Sequence, residues 1–372
     1  MTKKLLLTLF ILLSTIAFSQ NMSLSEKAKV SILTCGLGPE SYAMYGHTGI
    51  RIQDSLKGID VVYNYGAFDF STPNFIGKFV KGDLQYFVTN GSFIDFYYNY
   101  QAENREIIEQ EIQMNPAQMN LLFQQLNHSV YSDERFYTYK FIDRNCTTMV
   151  VDKINGILGK EYIKSDTSNQ TYREILYPYM TDFYMKLGIQ LIFGAKVDEP
   201  ATRLFLPYEF KEAISYTKVN GNAIEKSNKR ILEVSKTEVS FNWMNSIYSL
   251  IAILLALVLA NKKWIQISYF VFAGILGLFF SLVGFYSLHE EVLWNYNILL
   301  FNPLLLVFAW YLKKGIKERI VLLGQIILAM LLLYLAYMTT KIHLEIVWPF
   351  IALHFYWIGK IVLQIKKSNL TR

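Results

Sequence analysis

The C-terminal third of the chain is dominated by long apolar runs. Five of them lie near residues 243–260, 264–288, 294–312, 320–338 and 346–365. Each is long enough to cross the roughly 30 Å hydrocarbon core of a bilayer as a helix. Hydrocarbon offers no partner to an unpaired peptide group, so such runs cross a membrane only as helices. We therefore predict an all-α bundle of five transmembrane helices within residues 241–372.

Charges between the runs give the bundle a direction. Lysine and arginine concentrate near residues 261–263 and 313–319 and in the tail after 365, but not near 289–291 or 339–345. Basic connections stay in the cytoplasm, which predicts a cytoplasmic C-terminus and an exported N-terminal part. The formal charge of +6 thus reflects membrane orientation, and we expect no nucleic-acid partner.

The N-terminus carries a second, independent signal for export. Two lysines precede an apolar stretch, and small residues at positions 17 and 19 fit a signal-peptidase site. We predict a signal peptide over residues 1–19 and a periplasmic domain over residues 20–240, held at the inner (cytoplasmic) membrane. The alternative is an uncleaved first membrane helix.

The exported segment mixes strand and helix patterns, which predicts an α+β domain. Alternating apolar residues predict strands over residues 28–34, 47–53 and 60–66. The last two form a hairpin, so His47 at the start of one strand lies near the end of the other. Asn64 is the first candidate for orienting the His47 imidazole, and Asp60 is the second.

Cys146 is predicted to stand where a strand over residues 135–141 passes into a helix capped by Asn145. Unpaired N–H groups at a helix N-terminus stabilise a thiolate, and Arg144 adds positive charge. Cys146 is therefore a candidate nucleophile. The alternatives are a small buried residue or a disulfide with Cys35, the only other cysteine.

Polar residues interrupt the apolar half at one place. The connection over residues 289–297 contains His289, Asn295 and Asn297, and Asn302 follows inside an apparent span. Polar groups at this depth need protein or water around them. One interpretation is a substrate or headgroup site shared by both halves of the chain, and the other is hydrogen bonding between helices.

The chain resembles two related groups of proteins. A histidine strand that precedes a helix-start cysteine inverts the papain order and resembles the circularly permuted NlpC-type papain-like superfamily. A closer resemblance, to the family named for the Lnb N-terminal periplasmic domain, covers most of the chain. Its motifs here are Tyr45-Gly-His-Thr-Gly-Ile-Arg51, Val62-Tyr-Asn-Tyr-Gly-Ala-Phe-Asp69, Asn145-Cys-Thr-Thr148 and Phe205-Leu-Pro207, together with the polar segment from His289 to Pro303.

The closer resemblance implies a lipoprotein N-acyltransferase in the inner membrane of Bacteroidota. Such an enzyme would take an acyl chain from a membrane phospholipid and add it to the α-amine of a diacylglyceryl-cysteine lipoprotein. The expected fold is a permuted NlpC/papain-like exported domain followed by the five-helix bundle. No metal or nucleotide cofactor is expected.

Residues and resemblance together give a catalytic hypothesis. Cys146 would hold the acyl group as a thioester, His47 would move protons, and Asn64 would orient His47. The Cys146 backbone N–H would donate to the oxyanion, with Tyr45 as a second donor. Expected substrate contacts are Arg144, Tyr45, His289, Asn295 and Asn297.

Two alternatives stay open at this point. The same Cys–His pair could serve a hydrolase, either a peptidoglycan endopeptidase or a thioesterase. The chain could also be a non-enzymatic envelope assembly module with a disulfide between Cys35 and Cys146.

Overall fold

The structure is a computed structural model that describes residues 23–165, 169–235 and 241–370, without the side chain of residue 370. The signal peptide predicted over residues 1–19 lies outside the described residues.

Seven strands of the N-terminal domain form one antiparallel sheet. They are Ala28–Cys35 (β1), His47–Asp54 (β2), Ile59–Ala67 (β3), Gln85–Ser92 (β4), Ile107–Ile112 (β5), Phe136–Thr138 (β6) and Glu225–Leu232 (β9). Lys218–Val219 (β7) and Asn222–Ala223 (β8) form a separate small hairpin. The order across the large sheet is β6-β4-β3-β2-β1-β5-β9, so β2 is central. The three strands predicted near the N-terminus are confirmed, whereas the one predicted over residues 135–141 is reduced to β6.

Seven α-helices accompany the sheet in the described part of the N-terminal domain. They are Phe75–Lys81 (α1), Phe93–Ala102 (α2), Pro116–Tyr131 (α3), Cys146–Leu158 (α4), Tyr172–Leu176 (α5), Phe183–Ile192 (α6) and Pro207–Tyr216 (α7). Side chains of α3 and α4 such as Leu122 and Ile154 are fully buried in one core with Ile32 and Ile50 of the sheet. Each such aliphatic side chain contributes roughly 1.5–3 kcal/mol by leaving water, so this core fixes α4 against the central strands.

Residues 172–191 do not form the continuous helix that their apolar spacing suggests. The chain makes α5, a 3₁₀ turn over Tyr177–Tyr179, and then α6. Pro178 has no N–H to continue the helical ladder. Asp182 starts the next helix by accepting a hydrogen bond from the Met185 N–H at 2.8 Å.

The described part of the C-terminal region, called the membrane half below, contains five α-helices: Ile247–Ala260 (α8), Lys263–Tyr286 (α9), Leu304–Lys314 (α10), Lys317–Met338 (α11) and Leu344–Leu370 (α12). Among the described residues, four segments are long and apolar enough to cross a membrane: Lys263–Tyr286, Glu290–Lys314, Lys317–Met338 and Leu344–Asn369. The first of the five predicted runs forms only the 14-residue α8. Its length of about 21 Å is less than the hydrocarbon thickness, so the fifth span stays a prediction.

The run over residues 294–312 is helical only in its second half. Two 3₁₀ turns, Glu290–Val292 and Tyr296–Leu299, precede α10. Asn302 makes the transition, since its side-chain oxygen accepts a hydrogen bond from the Leu304 N–H at 2.9 Å. This irregular segment faces the N-terminal domain and forms the joint between the two halves.

Backbone hydrogen bonds join the halves directly. Gly194 N–H donates to the Glu291 carbonyl at 2.8 Å, and Leu288 N–H donates to the Lys81 carbonyl at 2.6 Å. At the closest approach, a Cβ on Gly194 would stand 1.7 Å from the Leu293 carbonyl oxygen. Only glycine fits there, because every other residue would force the two backbones apart.

A buried ion pair strengthens the same joint. Arg173, 1% exposed, donates from Nε to Asp198 Oδ1 at 3.0 Å. Two groups from the membrane half reach the same carboxylate: the Tyr296 hydroxyl at 2.8 Å and Lys341 Nζ at 3.4 Å. Removing one partner of such a buried pair typically destabilises a protein by about 3–5 kcal/mol. The two halves therefore belong to one folded unit.

The close approach at Gly194 gives a stability prediction. We expect Gly194→Ala to lower the stability of the detergent-solubilised protein by about 1–3 kcal/mol, because the added Cβ overlaps a backbone oxygen. Thermal unfolding followed by intrinsic fluorescence measures the loss.

Gly188→Ala is the matched control. Gly188 lies within α6, where an added Cβ meets nothing within 4 Å. Alanine favours a helix over glycine by roughly 0.5–1 kcal/mol, so this variant should unfold at or above the wild-type temperature. Equal unfolding temperatures for Gly194→Ala and the wild type would contradict the close approach of the two halves.

Candidate active site

His47 and Asn64 meet on neighbouring strands. His47 is the first residue of β2, and the register of the hairpin pairs Gly49 with Asn64 of β3. The His47 Nε2 atom lies 3.1 Å from Asn64 Oδ1. An amide oxygen only accepts, so Nε2 carries the proton and Nδ1 is left to act on a thiol. Asp60, the second candidate for this role, instead forms an ion pair with Arg51 at 2.7 Å.

Cys146 is the first residue of α4, as its sequence pattern predicts. The Asn145 side chain accepts hydrogen bonds from the N–H groups of Thr147 at 2.9 Å and Thr148 at 3.0 Å. Thr148 returns the bond, since its hydroxyl oxygen accepts from Asn145 N–H at 2.8 Å. This reciprocal cap explains why asparagine and threonine flank the cysteine.

The cap is also tied to the rest of the domain. The amide nitrogen of Asn145 donates to the carbonyls of Phe141 at 2.7 Å and Phe205 at 2.9 Å. The loop before the helix and the Phe205-Leu-Pro segment are therefore held by one side chain. Cys146 is thus placed by a helix, a loop and a distant segment together.

The Cys146 thiol and the His47 imidazole face each other and shift each other's pKa. Burial raises the pKa of Cys146. The positive charge and hydrogen bond of His47, together with the Thr48 N–H, lower this pKa by more, so the net shift is downward. Burial lowers the pKa of His47, but the Cys146 charge and hydrogen bonds from Cys146 and Asn64 raise it, and the net shift is upward. Opposite shifts favour a thiolate–imidazolium pair, the reactive state of a cysteine nucleophile.

Cys35 has the opposite environment. It is fully buried, lies directly across from His47 in the β1–β2 register, and is free, as is Cys146. Burial raises the pKa of Cys35 to about 12, although a hydrogen bond from Tyr100 opposes the rise. The predicted alternative of a Cys35–Cys146 disulfide is therefore wrong for this structure.

Three tyrosines that the sequence did not predict as part of the site lie near the thiol. They are Tyr86, Tyr137 and Tyr139. Burial is the largest cause of the raised pKa of each tyrosine, and the charge of Cys146 adds to it. Gly66, with φ of 95°, also lies beside Cys146, since a Cβ there would be in van der Waals contact with the Cys146 Cβ at 3.5 Å. The thiol thus has aromatic side chains as neighbours.

Tyr45 and Arg144, two predicted substrate contacts, lie on the edges of this region. The Tyr45 ring packs against Phe141 at 5.4 Å, and its buried hydroxyl has no hydrogen-bond partner among the described residues. Arg144 is exposed, with its guanidinium 5.1 Å from the centre of the Tyr137 ring. Substrate contact by either residue stays a prediction.

The three predicted contacts from the membrane half are placed at the joint. The side-chain amide nitrogens of Asn295 and Asn297 donate to the Leu191 carbonyl at 2.8 and 3.0 Å, and so satisfy the C-terminal end of α6. The Tyr334 hydroxyl donates to Asn297 Oδ1 at 2.7 Å. His289 Nε2 lies 2.8 Å from the Phe79 carbonyl. This geometry supports the hydrogen-bonding interpretation of the polar segment, and direct substrate contact by these residues stays a prediction.

Metal ligands are not grouped anywhere in the described parts of the chain, where no three His, Cys, Asp or Glu side chains stand together as a potential ion site.

Fold and site together define a class: a protein with apolar helices long enough to span a membrane and an α+β domain that carries a Cys–His–Asn group at a helix N-terminus. Family models narrow this class. Residues 17–177 match the Lnb N-terminal periplasmic domain, and residues 238–368 match the Lnb transmembrane domain. The two matches cover most of the chain, and the protein belongs to the Lnb family. No curated protein and no solved structure matches it significantly.

The two thiols should differ sharply in reactivity. We expect iodoacetamide at pH 7 to alkylate Cys146 and leave Cys35 unmodified, because only the pKa of Cys146 lies below that of an ordinary thiol. As the pH falls from 9, labelling of Cys146 should persist and disappear only when the pH passes through its lowered pKa. Peptide mapping after timed quenching measures both rates.

His47→Ala should move this pH profile upward and slow labelling at pH 7 by roughly tenfold or more, since burial then acts on the thiol without the opposing imidazolium. His128→Ala, which removes an exposed histidine of α3, is the control and should label like the wild type. Faster labelling of Cys35 than of Cys146 would contradict the assignment of the thiolate.

Proposed function

We propose that this protein is a lipoprotein N-acyltransferase that carries the acyl chain as a thioester on Cys146. The observation that carries the proposal is the Cys146–His47–Asn64 group at the start of α4, in a periplasmic domain joined to membrane helices. Membership of the Lnb family suggests the same role. The donor would be a membrane phospholipid, and the acceptor the α-amine of a diacylglyceryl-cysteine lipoprotein.

In the first half-reaction the Cys146 thiolate attacks the ester carbonyl of the phospholipid. The backbone N–H of Cys146, at the helix N-terminus, donates to the developing oxyanion. The carbon–oxygen ester bond then breaks, and the imidazolium of His47 gives its proton to the departing alcohol. The products are a lysophospholipid and an acyl-thioester on Cys146.

In the second half-reaction the neutral α-amine of the lipoprotein attacks the thioester carbonyl. His47, now an uncharged imidazole, takes a proton from the attacking nitrogen. The carbon–sulfur bond breaks, an amide forms, and the thiolate–imidazolium pair is restored. Asn64 keeps the imidazole oriented through both steps.

An apolar surface beside the joint supports a lipid substrate over a cell-wall peptide. Helix α1 exposes Ile76 and Phe79, whose exposed fractions are 76% and 48%. The same helix is fastened to the membrane half, where the Ser287 hydroxyl donates to the Val80 carbonyl at 2.8 Å. The aromatic side chain of Phe68 contacts Tyr86, with ring centres 5.2 Å apart, and leads inward toward the thiol. We propose that an acyl chain leaves the bilayer along this surface.

We propose five membrane crossings with a cytoplasmic C-terminus. Helix α8 begins beside the periplasmic domain, where the Tyr184 and Ser249 hydroxyls are 2.6 Å apart. It ends at Ala260, α9 begins three residues later at Lys263, and α9 returns to the joint at Ser287. Because α9 is about 36 Å long, this path is best explained if α8 also crosses. A phosphatase that is active only in the periplasm, fused after residue 372, should therefore be inactive. Activity of this fusion would contradict the proposed orientation.

We also propose that the periplasmic domain is a circularly permuted NlpC/papain-like fold. Its histidine and asparagine strands precede the cysteine helix in the chain, which inverts the papain order. The proposed catalytic roles are independent of this fold assignment, since they rest on the site geometry.

The covalent intermediate is the direct test of the proposed chemistry. Purified protein incubated with phospholipid and no acceptor should gain one acyl chain, released by neutral hydroxylamine because hydroxylamine cleaves thioesters readily. A diacylated lipopeptide with a free α-amine should then discharge the chain onto nitrogen. Intact-protein and lipopeptide mass spectrometry follow both steps.

Variants separate the roles of the residues. Cys146→Ala should abolish acylation, Cys35→Ala should retain it, and His47→Ala should slow it by roughly 10²–10⁴-fold, the usual contribution of a general base. Asn64→Ala should have a smaller effect than His47→Ala. Discharge to water at the same rate with or without lipopeptide would instead identify a hydrolase.

A further inference from the structure

A cavity of about 440 Å³ with several charged side chains in its lining lies at the joint between the two halves. Ile142 and Asp143, which line it, directly precede the capped start of α4, and Glu290 and Glu291 line it from the membrane half. The cavity therefore adjoins both the loop that leads to Cys146 and the segment that leads into the helix bundle.

Glu291 is the unusual residue of this cavity. Its side chain is only 5% exposed, and Oε1 accepts a hydrogen bond from the Ile142 N–H at 3.1 Å. Oε2 has no hydrogen-bond partner among the described residues, and its ion-pair neighbour His289 Nδ1 is 3.8 Å away. A buried carboxylate oxygen without a hydrogen-bond donor carries a large desolvation penalty. The unpaired Oε2 therefore suits a ligand that supplies the missing donor.

Charges of both signs line the same cavity. Glu290, Glu199 and Asp143 add acidic groups to Glu291, while Lys196 and Arg203 add basic ones. Lys196 pairs with Glu199 at 3.0 Å and Arg203 with Asp152 at 3.0 Å, yet both basic side chains remain 37% exposed. The excess of acidic groups favours a ligand with a cationic end, and the two basic side chains suit an anionic group beside it.

We propose that this cavity binds the phosphoethanolamine headgroup of the donor phospholipid. The ammonium group would donate to Glu291 Oε2, and the phosphate would lie toward Lys196 and Arg203. This inference rests on the proposed function, since it names the donor headgroup of the same site. It places the headgroup at the joint, from which the ester carbonyls extend toward Cys146.

The α-ammonium of the lipoprotein acceptor is the other source of a primary ammonium. Two observations favour the headgroup. An acidic cavity stabilises the protonated amine, whereas the acceptor must be neutral to attack a thioester. The acceptor's N-terminus also offers no phosphate for Lys196 and Arg203.

Binding to the inactive Cys146→Ala protein tests the headgroup without turnover. Delipidated protein would be titrated with phosphatidylethanolamine, phosphatidylglycerol or phosphatidylcholine of identical acyl chains and measured by native mass spectrometry. We expect phosphatidylethanolamine to bind roughly tenfold more tightly than the other two, because only its ammonium has N–H groups for Glu291. Equal affinities for the three lipids would overturn the proposal.

Glu291→Gln is the informative variant in this background. Its amide oxygen still accepts from the Ile142 N–H, but the negative charge is gone, so we expect the preference for phosphatidylethanolamine to disappear. Glu233→Gln, which changes an exposed carboxylate that does not line the cavity, should keep it. Alkylation of Cys146 in the Glu291→Gln single variant checks that the loop before α4 is intact. A preference that survives Glu291→Gln in an intact protein would overturn the assignment.

Competition identifies the source of the ammonium and separates this inference from the proposed function. If a diacylated lipopeptide displaces phosphatidylethanolamine and its N-acetylated form does not, the site belongs to the acceptor and the headgroup assignment is overturned. Headgroup preference without a thioester on wild-type Cys146 from any donor would refute the acyltransferase and retain the binding site. A thioester formed equally from all three donors, with equal binding, would overturn the headgroup site and retain the acyltransferase.

Discussion

The joint between the periplasmic domain and the membrane half holds the two parts of the protein in a fixed relation. A helix that ends inside a protein leaves its last carbonyl groups without partners. In α6 those carbonyls accept from Asn295 and Asn297, and the following Gly194 lies against the backbone of the membrane half. Because these groups are satisfied only when the halves are docked, the periplasmic domain is held in one position on the helix bundle.

One short loop, residues 140–145, connects the joint to the candidate active site. Glu291 accepts from the Ile142 N–H, and the Lys140 ammonium donates to the Leu288 carbonyl. The same loop ends at Asn145, whose side chain caps the helix of Cys146. A continuous series of contacts thus links the membrane half, the loop, the helix cap and the thiol. These contacts fix the position of the thiol relative to the helix bundle. A soluble Cys–His domain on a flexible tether would lack this arrangement.

The two cysteines show how environment decides reactivity within one fold. Cys35 and Cys146 both lie beside His47, one as its partner across the β1–β2 ladder and the other facing its ring. Burial raises the pKa of Cys35 and outweighs the Tyr100 hydrogen bond and the Arg105 charge, whereas His47 and the Thr48 N–H lower the pKa of Cys146. The imidazole that faces the thiol, rather than the presence of a thiol, makes Cys146 the candidate nucleophile.

Local patterns predicted much of this site, and long-range packing accounts for what they missed. Hairpin geometry was enough to bring His47 to Asn64, and the Asn-Cys-Thr-Thr order was enough to cap the cysteine helix. The tyrosines around the thiol could not be found in this way, because Tyr86 and Tyr137 meet only through the pairing of β4 with β6. The roles of Asn295 and Asn297 were equally hidden, since they depend on where α6 ends.

Cys146 is proposed to transfer an acyl chain to lipoproteins. Mass spectrometry of lipoprotein N-termini, from cells whose only N-acyltransferase is this protein, tests this proposal most directly. With the wild-type protein or Cys35→Ala, the N-terminal cysteine should carry two ester-linked chains and one amide-linked chain. With Cys146→Ala at equal abundance, it should carry the two ester-linked chains and a free α-amine. Amide-linked chains that persist at wild-type levels with Cys146→Ala would contradict the account.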